Sequence, residues 1–251
     1  MIIEYQRPPT IEAALRLLGR EKPVSRAMGG GTVLNQPSEE QYAVVDLQAL
    51  GLDQLQSRGN TLVMGATLKL QHLLEAEITS PALRTVIQQQ GSPNLRRMAS
   101  VAGSLVSADG RSPFAVAMLA LDASLVWLPG EEHIRLGDFL PARGRVGHSR
   151  LIVRVEIPSH ARLAYHSVSR TPSDLPIVCA ALARWTSGRT RLALGGYGDA
   201  PVLAMDGPEP QGLESAARSA YAGAGDDRAS AEYRQEMAAL LARRCLQDLT
   251  G

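Results

Sequence analysis

Two short stretches of small residues are the part of this sequence best suited to chemistry. Residues 28–34 read Met-Gly-Gly-Gly-Thr-Val-Leu, and residues 100–109 read Ser-Val-Ala-Gly-Ser-Leu-Val-Ser-Ala-Asp. Successive glycines let main-chain N–H groups point into one concavity and let a ligand approach without meeting a Cβ atom. Two such loops in one chain predict a ligand with two phosphates or an extended nucleotide. A dinucleotide cofactor is therefore the first hypothesis.

Neither stretch matches the two commonest phosphate-binding signatures. A P-loop ends in Gly-Lys-Ser/Thr and a Rossmann loop has spaced glycines, whereas Gly31 is followed by Thr32 and the three glycines are contiguous. Asp46 lies at the distance where a Rossmann acid would follow, but it sits inside an apolar run, so a structural role is equally expected. Taken alone, the first stretch is typical of a turn and the second of a surface connection between two helices.

Catalytic and metal-binding constellations are weak, and we predict no catalytic residue and no metal site in this chain. The histidines, which are His72, His133, His148, His160 and His166, are scattered and show no zinc spacing. Asp174 has no histidine placed to form a triad with it. Cys179 and Cys245 are predicted to be reduced core thiols, and two thiols are too few for an iron–sulfur cluster. The chain is predicted to hold a cofactor that performs the chemistry.

Composition limits the class of protein. With 251 residues, 45% apolar and 20% charged, the chain is expected to be globular and to bury a sizeable core. A net charge of +1 argues against binding nucleic acid. No apolar run is long enough to span a membrane and the N-terminus does not resemble a signal peptide, so a cytoplasmic protein is expected.

The elements that must position the two stretches can be predicted in part. Thr10 is expected to cap a helix that Gly19 ends, and residues 43–47, 61–66, 123–128 and 151–157 read as strands. Thr67 is predicted to cap a helix carrying Leu70, Leu73 and Leu74. Ser80-Pro81 and Ser112-Pro113 are expected to open two further helices, and Gly91 to close the first of them.

The pattern changes after Pro158, where an α+β module is predicted. Strands are expected at residues 163–169, 177–185 and 190–195, followed by a loop at 206–212 and then by helices. Ser230 is predicted to cap the final helix. Its buried stripe is expected to contain Tyr233, Met237, Leu240, Leu241 and Cys245.

Together these segments resemble the FAD-binding medium subunit of the molybdenum hydroxylases, the family of carbon monoxide dehydrogenase and xanthine dehydrogenase. Residues 29–34 stand where the family's first flavin loop reads roughly Ala-Gly-Gly-Thr-Asp-Leu. Residues 64–67 match its Ile-Gly-Ala-x-Thr region, and residues 96–104 match its second loop, roughly Arg-Asn-x-Ala-Thr-Ile-Gly-Gly-Asn. Residues 165–174 resemble the opening of its C-terminal domain. The resemblance covers nearly the whole chain in the family's order.

The resemblance implies an α+β fold with a two-part FAD-binding region of the PCMH and vanillyl-alcohol-oxidase type, residues 1–55 and 56–158, followed by a small α+β domain, residues 159–251. It implies FAD as the cofactor, and electrons that reach it from iron–sulfur clusters in a small partner subunit and leave for an external acceptor. A large subunit would carry the molybdenum cofactor, in a dimer of heterotrimers. The residues it assigns to FAD are Met28, Gly29, Gly30, Gly31, Thr32, Val33, Leu34, Ser100, Gly103, Ser104, Ser107, Asp109 and Leu151, the last flanking the isoalloxazine.

Several positions depart from the family's pattern. Val33 replaces an aspartate, Ala102 a glycine and Ser104 an asparagine, and Ser112-Pro113 stands where an aspartate is common. Ala102 would be strained unless its φ is negative. One alternative is therefore a diverged member with weakened or lost FAD binding that acts as a structural or assembly subunit. An unrelated enzyme that binds another nucleotide is the third hypothesis.

Overall fold

A computed structural model describes residues 1–145, 147 and 149–251. Within them the strands are β1 (Ile2–Gln6), β2 (Ser25–Met28), β3 (Tyr42–Asp46), β4 (Leu55–Arg58), β5 (Thr61–Gly65), β6 (Ser124–Leu128), β7 (Glu132–Arg135), β8 (Leu151–Pro158), β9 (Arg162–Val168), β10 (Val178–Arg184), β11 (Thr190–Gly195) and β12 (Val202–Gly207). The α-helices are α1 (Ile11–Leu18), α2 (Leu70–Glu75), α3 (Pro81–Gln90), α4 (Pro93–Met98), α5 (Val101–Val106), α6 (Pro113–Ala120), α7 (Leu136–Ala142), α8 (Leu213–Ala220) and α9 (Ala231–Thr250). Short 3-10 helices cover Gln48–Leu50 and Arg143–Arg145.

The chain divides into two compact units, each built from separate stretches of sequence. The first unit comprises Met1–Leu73, Asn94–Ser107 and Ser124–Glu156, and the second comprises Leu74–Pro93, Ala108–Ala123 and Ile157–Gly251. The first division predicted from sequence, after residue 55, falls at the start of β4, and the second, after residue 158, falls at the end of β8. The three predicted domains themselves stay a prediction. The helical segments 74–93 and 108–123 nevertheless cluster with the C-terminal part of the chain.

The first unit contains two sheets that share a core. A parallel sheet has the order β1-β3-β2, and a five-stranded sheet has the order β4-β5-β8-β6-β7. The core between them holds Ala14 and Leu18 of α1, Val45 of β3, Val126 of β6 and Val153 of β8. Side chains from both sheets are buried in this one core. The end of β2 and the start of β8 are therefore held beside the same core.

The second unit is a four-stranded antiparallel sheet with helices on both faces. Its order is β12-β11-β10-β9, and the core against α8 and α9 contains Val178, Ala180 and Leu182 of β10. Cys179, between Val178 and Ala180, faces the opposite side of the sheet, toward α6. A Cβ atom added to Gly195 on that side would contact both the Cys179 sulfur and Val116 of α6. The period of two along β10 therefore explains the continuous apolar run that the sequence shows there.

Most predicted elements are confirmed. Thr10 accepts a hydrogen bond from the Ala13 N–H at 3.2 Å and Gly19 ends α1. Ser80, Ser112 and Ser230 likewise cap α3, α6 and α9 through their hydroxyl oxygens. The predicted strands correspond to β3, β5, β6, β8, β9, β10 and β11.

Other predictions were wrong, and tertiary packing explains them. Thr67 does not cap α2, because it is buried and its N–H donates to the Leu52 carbonyl at 2.8 Å, so the helix begins at Leu70. The loop predicted at 206–212 begins with the last two residues of β12. On α9, Tyr233 is 41% exposed and Arg234 is fully buried in its place.

Candidate functional site

A cavity of about 500 Å³ lies within the first unit. Its walls come from β2 and the residues that follow it, from the start of β8, from one side of α5, and from aromatic residues of β6 and α7. Its volume is in the range of small-molecule and cofactor sites. The cavity also brings together the two stretches that the sequence singled out.

The three glycines after β2 form one wall of this cavity. Gly31 has φ +72°, a left-handed conformation that favours glycine, and the chain turns there before β3. In the part of the chain that the structure describes, the main-chain N–H groups of Gly29, Gly30 and Gly31 donate to no protein acceptor. Donors left without acceptors beside a cavity are suited to an anionic ligand.

The second stretch is a short helix rather than the expected open loop. Ser100 is its N-cap, and its hydroxyl oxygen accepts from the Gly103 N–H at 3.3 Å. Ala102 lies inside this helix and has no positive φ, so the strain considered for it from sequence is absent. Ser100, Ala102 and Gly103 line the cavity.

The glycine stretch packs so closely against the end of α4 and the start of the second stretch that a Cβ atom on Gly29 or Gly30 would clash. A Cβ on Gly30 would lie 1.9 Å from the Met98 carbonyl oxygen, and one on Gly29 would lie 2.4 Å from the Ser100 hydroxyl oxygen. Both separations are well inside van der Waals contact. The glycines therefore allow these protein segments to approach each other.

Most of the residues assigned to the cofactor by sequence line the cavity. They are Met28, Gly29, Gly30, Gly31, Thr32, Val33, Leu34, Ser100, Gly103, Ser107 and Leu151. Ser104, which lies on α5, does not line it. Asp109 belongs to the second unit, where its carboxylate accepts from the Arg111 N–H at 2.9 Å. Contact of these residues with a cofactor stays a prediction.

The sequence did not identify the aromatic part of the cavity wall. Trp127, interpreted as a core residue, lies 5.6 Å from Phe139 between ring centroids, and both line the cavity. The Arg150 guanidinium lies 5.2 Å from the Trp127 ring centroid and forms an ion pair with Glu132. The buried Trp127 indole N–H has no acceptor among the described residues. These residues lie on β6, on α7 and directly before β8, so their meeting depends on packing between elements that the sequence does not show.

Asp46 has the structural role that was one of its two interpretations. Its carboxylate is fully buried and accepts from Tyr5, from the Arg7 Nε at 2.8 Å and from the Gln48 N–H at 3.0 Å. Burial opposes its charge, but these hydrogen bonds outweigh burial and lower the pKa of Asp46. It does not line the cavity.

The other described residues that the sequence analysis considered for metal or covalent chemistry do not line this cavity. No group of three His, Cys, Asp or Glu side chains among them could hold a metal ion. His148, one of the five scattered histidines, lies outside the described residues. Cys179 and Cys245 are free and buried, and burial raises the pKa of each thiol to about 12. Asp174 accepts from the Thr171 N–H at 3.2 Å in an exposed turn.

These observations indicate the kind of ligand that the cavity suits. Glycines that a Cβ would crowd, free main-chain donors, an unpaired indole N–H and an adjoining apolar wall suit a phosphorylated cofactor with a ring system. Nucleotide cofactors such as FAD combine a diphosphate with aromatic rings. The residues present therefore fit a bound flavin dinucleotide.

Comparison with known proteins identifies the family. Residues 1–160 match the family model described as the FAD binding domain in molybdopterin dehydrogenase. The chain is 30% identical over 217 residues to the uncharacterized protein YgfM of Escherichia coli K12, covering 85% of this chain and 82% of that protein. It is 24% identical to the carbon monoxide dehydrogenase medium chain of Afipia carboxidovorans, covering 97% of this chain and 95% of that one. A crystal structure of Cu,Mo-CO dehydrogenase shares the fold, with a TM-score of 0.81, 22% identity and coverage of 98% and 97%.

The chain belongs to the family of FAD-binding domains of molybdopterin dehydrogenases. It is an FAD-binding subunit of the molybdenum hydroxylase type, and therefore part of an oxidoreductase. The α+β fold expected from the resemblance is confirmed, as is FAD as the cofactor. None of the helices in the described part of the chain is long and apolar enough to cross a membrane.

Proposed function

We propose that the chain holds FAD in the cavity of the first unit and passes electrons through it from a partner subunit to an external acceptor. The observation that carries this proposal is that Gly29, Gly30 and Gly31, whose main-chain N–H groups have no protein acceptor among the described residues, line a cavity that Ser100 also lines. Bound FAD would supply the redox chemistry, and the protein residues would bind it, orient it and limit the access of water.

Each part of the cavity has a proposed role toward FAD. The glycine N–H groups, with Thr32, would hold the diphosphate, as oriented main-chain donors do at many phosphate sites. Ser100 and Gly103 would contact the ribityl and diphosphate region. Leu151, which is 2% exposed, is proposed to flank the isoalloxazine.

The site depends on main-chain donors and small residues more than on charged side chains. Val33 lines the cavity but has no carboxylate, and Ser104 has no amide and does not line the cavity, so neither supplies the group that the family's pattern has there. Main-chain contacts need only small residues and survive both changes. We therefore propose that FAD binding is retained, rather than lost as in a purely structural subunit.

The proposed partners are a small iron–sulfur subunit and a large molybdenum-cofactor subunit, in a dimer of heterotrimers in the cytoplasm. Support comes from two relatives that are named medium chains of dehydrogenases and from one that is named a subunit of a dehydrogenase complex. The proposal that a partner subunit holds the iron–sulfur clusters agrees with the cysteines of this chain. Cys179 and Cys245 are buried and cannot hold a cluster between them.

The test is to isolate the tagged chain from its native cells and to quantify what accompanies it. The proposal expects one FAD per chain, two further subunits, and iron and molybdenum in the intact complex. The flavin absorbance should bleach when the complex is reduced without oxygen. An intact complex without flavin would favour the structural-subunit alternative, and a chain that binds FAD but purifies alone would refute the proposed partners.

A further inference from the structure

We propose that Lys69 is a positioning residue for the FAD site, joining the glycine stretch to the segment that leads into α5. The inference rests on the proposed location of FAD in the cavity of the first unit. Lys69 does not line that cavity, so it would act through the main chain that it holds and not by contact with the cofactor.

The side-chain contacts of Lys69 bridge the two segments. Its Nζ donates to the Gly29 carbonyl oxygen at 3.2 Å and to the Met98 carbonyl oxygen at 3.1 Å. An ammonium group has three donors and no acceptor, so one lysine can bind two carbonyl oxygens at once. Hydrogen bonds that involve an ionised donor are stronger than neutral ones.

The main chain of Lys69 is itself fixed against the second segment. Leu70 N–H donates to the Ala99 carbonyl at 3.0 Å, Val101 N–H donates to the Leu68 carbonyl at 2.8 Å, and Lys69 pairs with Ser100 as an antiparallel bridge. The lysine backbone is thus part of the structure that carries α5. Its side chain extends from this structure to the glycine stretch.

The bond to Gly29 sets the direction of one donor at the cavity. In a planar trans peptide the C=O and the following N–H point to opposite sides. Holding the Gly29 carbonyl toward Lys69 therefore directs the Gly30 N–H away from it, and Gly30 lines the cavity. Glycine has wide conformational freedom, so an external hydrogen bond is needed to keep one orientation of this peptide.

The environment of Lys69 agrees with a fixed position. Burial lowers the pKa of the Lys69 ammonium, and the nearby Asp46 carboxylate partly offsets this. A lysine that is partly withdrawn from water to bind two carbonyl oxygens has exchanged hydration for those bonds. Free rotation of the side chain would give up both.

The composition offers a matched control. Lys22 and Lys69 are the two lysines of the chain. Lys22 is exposed and lies before β2 in the same unit, away from the two carbonyl oxygens that Lys69 binds. The same substitution at both positions separates loss of the bridge from loss of a lysine charge.

The experiment uses the full chain with Lys69→Cys and Lys22→Cys, each before and after aminoethylation with 2-bromoethylamine, which rebuilds a lysine-like amine. Cys179 and Cys245 are fully buried, so the introduced thiol is the reactive one in the folded protein, and mass spectrometry checks this. FAD affinity is measured by titration with flavin fluorescence, and stability of the FAD-free chain by thermal unfolding.

We expect Lys69→Cys to raise the FAD dissociation constant at least about tenfold, and aminoethylation to recover most of that loss. Lys22→Cys should bind FAD as the wild type does in both states. Wild-type affinity in Lys69→Cys, or a loss that aminoethylation does not recover, would overturn the inference. If Lys69→Cys does not fold, Lys69→Met keeps an unbranched side chain that is one atom shorter and has no ammonium, and wild-type affinity in that variant overturns the inference equally. A wild-type chain that binds no FAD would instead refute the proposed function.

Discussion

Gly30 lies where two segments of main chain come too close for a methyl group. The contact is with the Met98 carbonyl, which is backbone and cannot rotate aside. From sequence, glycine was expected here because it lets a ligand come close to the main chain. The structure shows that it also lets the α4–α5 connection come close. Gly30 therefore both packs against the α4–α5 connection and lines the cavity.

We predict that Gly30→Ala separates the two segments and weakens FAD binding at least about tenfold, with a loss of about 1–3 kcal/mol in the free energy of unfolding. Equilibrium titration with FAD and urea unfolding measure the two effects. The matched control is Gly223→Ala, because a Cβ on Gly223 meets nothing within 4 Å. Equal FAD affinity in the two variants would contradict the assignment of the site.

We predict that Asp46→Asn lowers the free energy of unfolding by about 1–3 kcal/mol and leaves FAD affinity unchanged, because the carboxylate binds Tyr5 and Arg7 and not the cavity. The pKa of Asp46 is lowered from 3.8, so its contribution is complete above that pH and is lost as the pH falls below it. Urea unfolding at several acidic pH values should show the wild type and the variant converging. A selective loss of FAD affinity would contradict this purely structural role of Asp46.

Residue types predicted the glycine wall of the site but not its aromatic wall. A triple glycine is rare enough to indicate a special backbone by itself. Trp127 and Phe139 have ordinary core chemistry, and their position at a cavity depends on the pairing of β6 with β8 and on the start of α7. Side chains brought together by non-local pairing carry no local signal.

At the scale of elements, the clearest difference between sequence and structure is α5. Its sequence, Val-Ala-Gly-Ser-Leu-Val, contains glycine and β-branched residues that favour helix weakly. The helix forms because Ser100 caps it and because Val101, Ala102 and Leu105 are buried. Tertiary burial thus overrides a weak local preference, and this could not be predicted from the segment alone.

Helix α9 shows the opposite case, in which the element was predicted and its buried face was not. Arg234 is fully buried and donates to the carbonyls of Ala224 at 2.6 Å and Ala229 at 3.1 Å, and to Asp226 at 2.8 Å. It fastens the loop before α9 to the helix. A buried arginine surrounded by main-chain carbonyls is not apparent from hydrophobic periodicity, which favoured Tyr233.

We predict that Arg234→Met destabilises the protein by about 3–5 kcal/mol, because it leaves a carboxylate and several carbonyls without their donor. The adjacent Tyr233→Ala should cost less than about 1 kcal/mol, because the side chain is 41% exposed. Urea unfolding of both variants measures the difference. If Tyr233→Ala proved the more costly change, the buried face of α9 described here would be wrong.

At the scale of the whole molecule, sequence order predicted three segments and the structure forms two compact units. Helices α3 and α6 lie within the predicted second segment, 56–158, and cluster with the second unit, while the three predicted domains themselves stay a prediction. Helices joined by short turns give no sequence signal of which sheet they will cover. Strand and helix types were therefore easier to predict than their grouping.

We predict that the stability of the second unit falls as the pH rises above 9. Burial raises the pKa of Cys179 and Cys245 from 9.0 to about 12, and it raises the pKa of Tyr165 and Tyr221 above 10.0. The unfolded chain therefore releases protons that the folded chain retains, so stability is complete below pH 9 and is lost progressively up to about pH 12. Urea unfolding between pH 8 and 10.5 checks this, with Cys179→Ala as the comparison. A steeper pH dependence in Cys179→Ala would contradict the assignment.

The account as a whole depends on where FAD binds, and a crystal structure of the full chain with FAD tests this most directly. The predicted result is a diphosphate within hydrogen-bonding distance of the N–H groups at Gly29, Gly30 and Gly31, with the remainder of the cofactor in the cavity that Ser100 and Trp127 line. FAD bound elsewhere on the chain, or an empty cavity at saturating FAD, would contradict it.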